Sequence, residues 1–241
     1  AGRRDVAQAR AGAAPSAQWR DLGLAGVSAM VAFSPHAAGN ALLQAIADDI
    51  GAQTTSSLLY SLAFLYQTKG AIRDAIVAVT DRKDRFVYGM SERKVSGLDV
   101  QKPDGNVAAV YPSALTKNLP PPFKPEPTGG KGIHLHHKFV VIDFDKPTGR
   151  VYLGSYNFSA AADRDNGENL LLIADRRVAT AYAVEAIGLF DHYHFRDAQA
   201  QAKGKAQPLT LKTPPKAPGD LPWFHDDYSV PYKIRDRELF S

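Results

Sequence analysis

Between Ser28 and Met90 the apolar spacing of the chain switches back and forth between two periods, and that succession restricts the fold more than any other feature. Ser28–Phe33 reads as a strand ended by Ser34-Pro35, and residues 37–50 carry Ala41, Leu42, Ala45, Ile46 and Ile50 at helical spacing. A buried apolar run over 54–66 follows, passing into a helix start. Residues 69–80 repeat the helical spacing with Ile72, Ile76, Val77 and Val79, and 85–90 is the next strand. Strand, helix, strand, helix, strand predicts right-handed crossovers. The expected class is therefore α/β: a mixed, mostly parallel sheet flanked by helices on both faces.

The second half is punctuated differently. Val107–Tyr111 adds a strand, and residues 118–130 form a loop around Pro120, Pro121, Pro122, Pro125 and Pro127. Hairpin chemistry at residues 145–149 turns one strand back on another over 150–153. A turn over 154–159, a buried strand over 167–175 and the longest helix over 177–195 complete this part. From Gln199 the composition changes to lysine and proline, and residues 221–241 regain aromatics (Trp223, Phe224, Tyr228) as an extended arm. The expected division is a leader or inter-lobe segment over 1–27, a lobe over 28–198, and a linker with its arm over 199–241.

Composition excludes some chemistry. With no cysteine there can be no disulfide, thiol nucleophile or cysteine zinc site, and either redox compartment is allowed. No apolar run reaches the ~18 residues of a membrane span, so the chain is expected to be soluble, cytoplasmic or exported alike. A net charge of +4 and a pI near 9.2 tilt it mildly towards anionic partners. The start at Ala1, without methionine, suggests a piece of something longer.

Chemistry concentrates in Ile133–Asp143, which sets His134, His136, His137 and Lys138 against the apolar run Phe139–Ile142, closing on Asp143. Alternation along a strand puts His136 and Lys138 on one face, about 6.6 Å apart at Cα, within reach of one phosphate. His134 and His136 share that face too, but Lys138 beside them would repel a metal, and no acid stands at a ligating spacing. His36, after Ser-Pro at a helix start, reads as inert, and His192 and His194 suit the end of the long helix.

His136-x-Lys138-x4-Asp143, then Gly154-Ser155-x-Asn157, then Gly167-Glu168-Asn169 resembles the phospholipase D superfamily over roughly residues 28–196. The resemblance implies a phosphodiesterase that calls for no metal and no cofactor, working through a phosphohistidine. In it His136 would be the nucleophile or its acid counterpart, and Lys138 a fixed cation on the phosphoryl oxygens. Ser155 and Asn157 would donate to the same oxygens, and Glu168 would hold the second nitrogen of His136. Five positions from Lys138 is an odd step, so Asp143 is given a supporting role with Gly154. Ten residues separate Asp143 from Gly154, more than is usual in the family, and the excess coincides with the hairpin tip at 145–149.

Family enzymes face two such motifs across one cleft, and this chain has one. The implied partner is a second His-x-Lys lobe, from an identical chain in a homodimer or from a missing N-terminal half. The basic tilt favours nucleic acid as the anionic substrate. Phospholipid head groups are the alternative, favoured if aromatic and apolar groups line the cleft, and a non-catalytic lobe that only binds phosphate or a partner is the third reading.

Overall fold

A computed structural model describes residues 19–36, 41–93, 95, 98, 107–110, 135–204 and 213–241. Residues 1–18, the start of the first expected helix, the proline-rich loop and His134 lie outside the described residues. In chain order the elements are β1 (Arg20–Asp21), β2 (Ser28–Phe33), α1 (Ala41–Gln53), β3 (Ser57–Leu62), α2 (Ala71–Thr80), β4 (Phe86–Met90) and β5 (Val107–Val110). There follow β6 (Lys138–Ile142), β7 (Arg150–Gly154), α3 (Ala160–Arg164), β8 (Asn169–Ala174), α4 (Arg176–Gly204), α5 (His225–Ser229) and α6 (Pro231–Leu239).

The strands form one mixed sheet in the order β1-β2-β8-β7-β6-β3-β4-β5. β2, β3, β4, β5 and β7 run one way, as the crossovers require, yet only β3–β4 and β4–β5 are parallel neighbours. The expected excess of parallel pairing is corrected accordingly. The reason is insertion: β2 and β3 are linked by α1, but the later strands β8, β7 and β6 enter between them. The strand–helix–strand succession sets the direction of β2, β3 and β4 and says nothing of such late insertion.

Alternation divides the buried residues between two faces. Leu58, Tyr60, Val140 and Ile142 pack with Leu42, Ile46 and Ile50 of α1 and Ile72, Ile76 and Val79 of α2. Leu59, Phe139, Val141 and Val151 point the other way, onto Ala179, Ala183 and Ala186 of α4. Helices thus cover both faces, and each fully buried Ile or Leu contributes roughly 2 kcal/mol. The three alanines let α4 lie close to the sheet. Gly89 is required for a similar reason, because a Cβ there would stand 1.9 Å from the Tyr60 ring.

Two peripheral expectations change. Trp19 packs on Tyr152 and β1 pairs with β2, so part of the expected leader belongs to the sheet. The C-terminal arm, expected to be extended, is helical in α5 and α6, with Pro231 at the start of α6 where its missing N–H costs nothing. Phe240 stacks on Phe144 and meets Phe86 edge-on, and Arg235 donates to the carbonyls of Lys83 and Arg85. The boundary expected at 198 falls inside α4.

Candidate active site

One end of the sheet gathers the motif residues. β2, β3 and β7 finish there while β6 and β8 begin, so Leu62 stands opposite Lys138, Gly154 opposite Leu170, and Phe33 opposite Asn169. In sheets of this kind the carboxyl ends of co-directed strands are where ligands bind.

His136 lies just before β6 and is exposed. The chain is pinned on either side of it: Leu135 N–H donates to the buried Glu92 carboxylate (2.7 Å), and Ala63 N–H donates to the His137 carbonyl (3.0 Å). Its ring meets Phe64 edge-on at 5.5 Å. Lys138 is buried, and its Nζ lies 3.2 Å from Nδ1 and 3.1 Å from Nε2 of His136 and donates to the His136 carbonyl at 2.9 Å. A neutral imidazole has one lone pair, so only one ring contact is a hydrogen bond at a time. Burial holds the Lys138 amine below its ordinary pKa, and the charge of Glu168 pulls it part of the way back. The site therefore contains a cation that the protein compensates incompletely.

Among the described residues Glu168 makes no hydrogen bond to His136. Lys138 occupies the space beside both ring nitrogens, and the carboxylate acts on Lys138 through charge instead. Ser155 accepts the Asn169 N–H on its hydroxyl oxygen (3.0 Å), which leaves its own O–H as a donor. Asn157 has its Oδ1 buried with no protein partner, on the wall of a cavity of about 540 Å³ shared with Phe64, Gln67, Lys69 and Asn166. Gly154 has φ 142°, and a Cβ there would lie 2.4 Å from the Asn169 carbonyl oxygen, so glycine is needed where β7 turns out towards Asn157.

Asp143 is at the other end of β6, roughly 16 Å along the strand from Lys138. It is fully buried at φ 52°. Backbone N–H groups of Thr55, Ser56 and Ser57 and the hydroxyls of Thr55 and Ser56 all donate to it. Burial pushes its pKa up, but those hydrogen bonds outweigh it and the net shift is downward.

Sequence reasoning missed Phe64, Glu92 and Arg93. They follow β3 and β4 directly, so their place just past the carboxyl ends of co-directed strands was the available signal. It also dismissed His36, which is buried against Asp163 at 2.7 Å just past β2. Among the described residues no three His, Asp or Glu side chains gather as they would around a metal ion, and no helix is long and apolar enough to cross a membrane.

The chain has counterparts among known proteins. A family model described as cardiolipin synthase, PLD-like domain, matches residues 51–189, more than half of the chain. Phospholipase D of Rickettsia felis is 47% identical over 47 residues, 20% of this chain and 22% of that protein. Its counterpart in Rickettsia prowazekii is 45% identical over 47 residues, 20% and 21% of the two chains. The matched stretch thus spans about a fifth of the length of these relatives. Among solved structures, Nuc from Salmonella typhimurium, a phospholipase D family member, is similar over 70% of this chain and 93% of its own, at 19% identity and a TM-score of 0.40. Phosphatidylserine synthase of Haemophilus influenzae is similar over 75% and 40%, at 15% identity and a TM-score of 0.41.

Proposed function

The chain belongs to the phospholipase D-like family, and on that premise we propose that it is a metal-independent phosphodiesterase acting on nucleic acid through a phosphohistidine. The observation that carries this reading is Lys138, a buried cation held against both nitrogens of the His136 ring. An entering phosphodiester offers that ammonium two anionic oxygens in place of a neutral ring, and frees the imidazole to attack. One ring nitrogen of His136 bonds to phosphorus as the bond to the leaving oxygen breaks, and that oxygen departs with the electron pair. Lys138 and the Asn157 amide stabilise the charge that builds on the non-bridging oxygens. Water then attacks the phosphohistidine and regenerates the ring. Glu168 supports the charge of Lys138, and Asp143 and Gly154 support the backbone. The proton for a poor leaving group comes from a second His-x-Lys lobe, in a homodimer mate or a longer chain.

The rim of the site supports nucleic acid. From His136 an aromatic path runs through Phe64 and Tyr66 (6.5 Å between rings) to Arg93, whose guanidinium lies 5.3 Å from the Tyr66 ring, with Lys69 exposed nearby. Rings alone would suit a lipid as well, but here the Phe64–Tyr66 pair has Lys138 at one end and Arg93 at the other, and aromatic faces flanked by cations suit stacked bases and their phosphates. The aromatics that would have favoured phospholipid, Trp223, Phe224 and Tyr228, line a different cavity with Phe86 and Ile187, beside the start of β4 and far from His136.

The test is incubation with single-stranded DNA, RNA, phosphatidylcholine vesicles and bis(p-nitrophenyl) phosphate, each with chelator. Cleavage of the nucleic acids and the nitrophenyl ester, lost in His136→Ala, is expected. Turnover abolished by chelator would overturn the mechanism, and turnover of phosphatidylcholine alone would overturn the substrate.

A further inference from the structure

Asn157 and Glu168 stand at the two ends of one excursion of the chain, and a segment of the first half of the sequence clips both. Ser34, just past β2, donates its N–H to the Glu168 carbonyl (3.0 Å) and its hydroxyl to the Asn166 carbonyl (2.8 Å), and its hydroxyl oxygen accepts the Glu168 N–H (3.0 Å). Two residues on, His36 donates its N–H to the Asp163 carbonyl (2.7 Å), and its Nδ1 lies 2.7 Å from Asp163 Oδ1. Tyr156 donates its hydroxyl to the same Oδ1 at 2.7 Å. His36, Asp163 and Tyr156 are 5%, 0% and 1% exposed. The phenol donates to that oxygen, and in its Nδ1–H tautomer the His36 ring donates to it as well. Burial and the Asp163 charge push the Tyr156 phenol far up, which keeps it a donor.

Tyr156 and Phe158 are both buried, so Asn157 projects from a peptide fixed at each neighbour. Its own amide lacks a protein partner at Oδ1. With no protein partner at Oδ1, the side chain takes its direction from the peptide that carries it, and the anchorage of Tyr156 holds that peptide.

We propose that His36 is a positioning residue of the active site: acting through Asp163 and the Tyr156 hydroxyl, it aims the Asn157 amide at the phosphoryl oxygens. The proposal rests on the reading of Asn157 as a phosphate ligand. A donor at the Nδ1 position is what the relay needs. Asparagine at residue 36 places an N–H there, whereas glutamine places one near Nε2 and alanine places none.

The experiment compares His36→Asn, His36→Gln and His36→Ala on bis(p-nitrophenyl) phosphate, separating kcat from KM. Misaiming one donor lowers kcat about tenfold and leaves KM unchanged in the alanine and glutamine variants, and the asparagine variant returns to within about threefold of wild type. Tyr156→Phe, which removes one hydroxyl and little volume, loses a similar factor and carries the test should the alanine variant fail to fold. The Asn157 side-chain amide resonances, followed by NMR while inorganic phosphate is added, report the same effect without turnover. Their phosphate-induced shift shrinks in His36→Ala and Tyr156→Phe. Wild-type kcat or an unchanged shift in these variants overturns the proposal, as does an asparagine variant as slow as the alanine one, which would mean that the imidazole only fills space. Activity that survives Lys138→Ala and Asn157→Ala would instead sink the reading of the site on which the proposal stands.

Discussion

Strand β6 carries one ionised group at each end, and the two are treated in opposite ways. Asp143 is buried and accepts hydrogen bonds from three backbone N–H groups and two hydroxyls. Lys138 is buried as well, but its contacts are one carbonyl, the His136 ring and the face of Phe64 (5.5 Å to the ring centre), with Glu168 acting on it only through charge. The carboxylate is compensated so fully that its pKa falls despite burial, whereas the amine is compensated so poorly that its pKa falls because of burial. A group satisfied by the protein stabilises the fold, and one left wanting is available to a ligand. The contrast predicts that the two ends can be damaged independently.

The largest effect is expected at the Lys138 end. His136→Ala and Lys138→Ala each lower phosphodiesterase turnover by about a thousandfold or more, with thermal melting close to wild type. A melting temperature that falls with activity would show that the two ends are not separate.

At the Asp143 end the order reverses. Asp143→Ala strands a set of buried donors and costs about 3 kcal/mol in urea unfolding, while the kcat of the folded fraction stays near wild type.

Acid sharpens the same contrast. The folded pKa of Asp143 lies below its unfolded value, so its contribution is present above about pH 4 and lost as the pH falls through the folded pKa. Unfolding midpoints measured from about pH 5 down to pH 2 are expected to converge for wild type and Asp143→Asn. A constant gap between them would contradict the assignment.

The smallest effect lies on the alkaline side. With its pKa lowered, Lys138 loses its proton earlier than a free lysine would, so kcat declines below about pH 10. Lys138→Arg, slower throughout but permanently charged, should lack that decline.

Much of this was readable from the chain. The apolar alternation of Phe139–Ile142 and the helical spacing of Ile72, Ile76 and Val79 assigned those residues to the layers they occupy. His136, Lys138 and Asn157 stood out as candidates because their spacing repeats a family pattern. What was illegible is long-range. The insertion of β6, β7 and β8 between β2 and β3 depends on pairing partners rather than on period. Glu92 reaches Leu135 across 43 positions and His36 reaches Asp163 across 127, with nothing local to announce either. Helix α6 was missed for a different reason: its polar composition hid a helical start marked by Pro231.

The central claim is that His136, beside the undercompensated Lys138, is the group that bonds to phosphorus. It is tested most directly by mixing the protein with bis(p-nitrophenyl) phosphate and chelator, quenching without acid, and mapping the adduct by mass spectrometry. p-Nitrophenolate leaves without being protonated, so the first step needs no second lobe. The account predicts a nitrophenyl-phosphoryl or phosphoryl adduct on His136, absent from His136→Asn. Nitrophenolate released with no adduct on His136, or at an equal rate from His136→Asn, would contradict it.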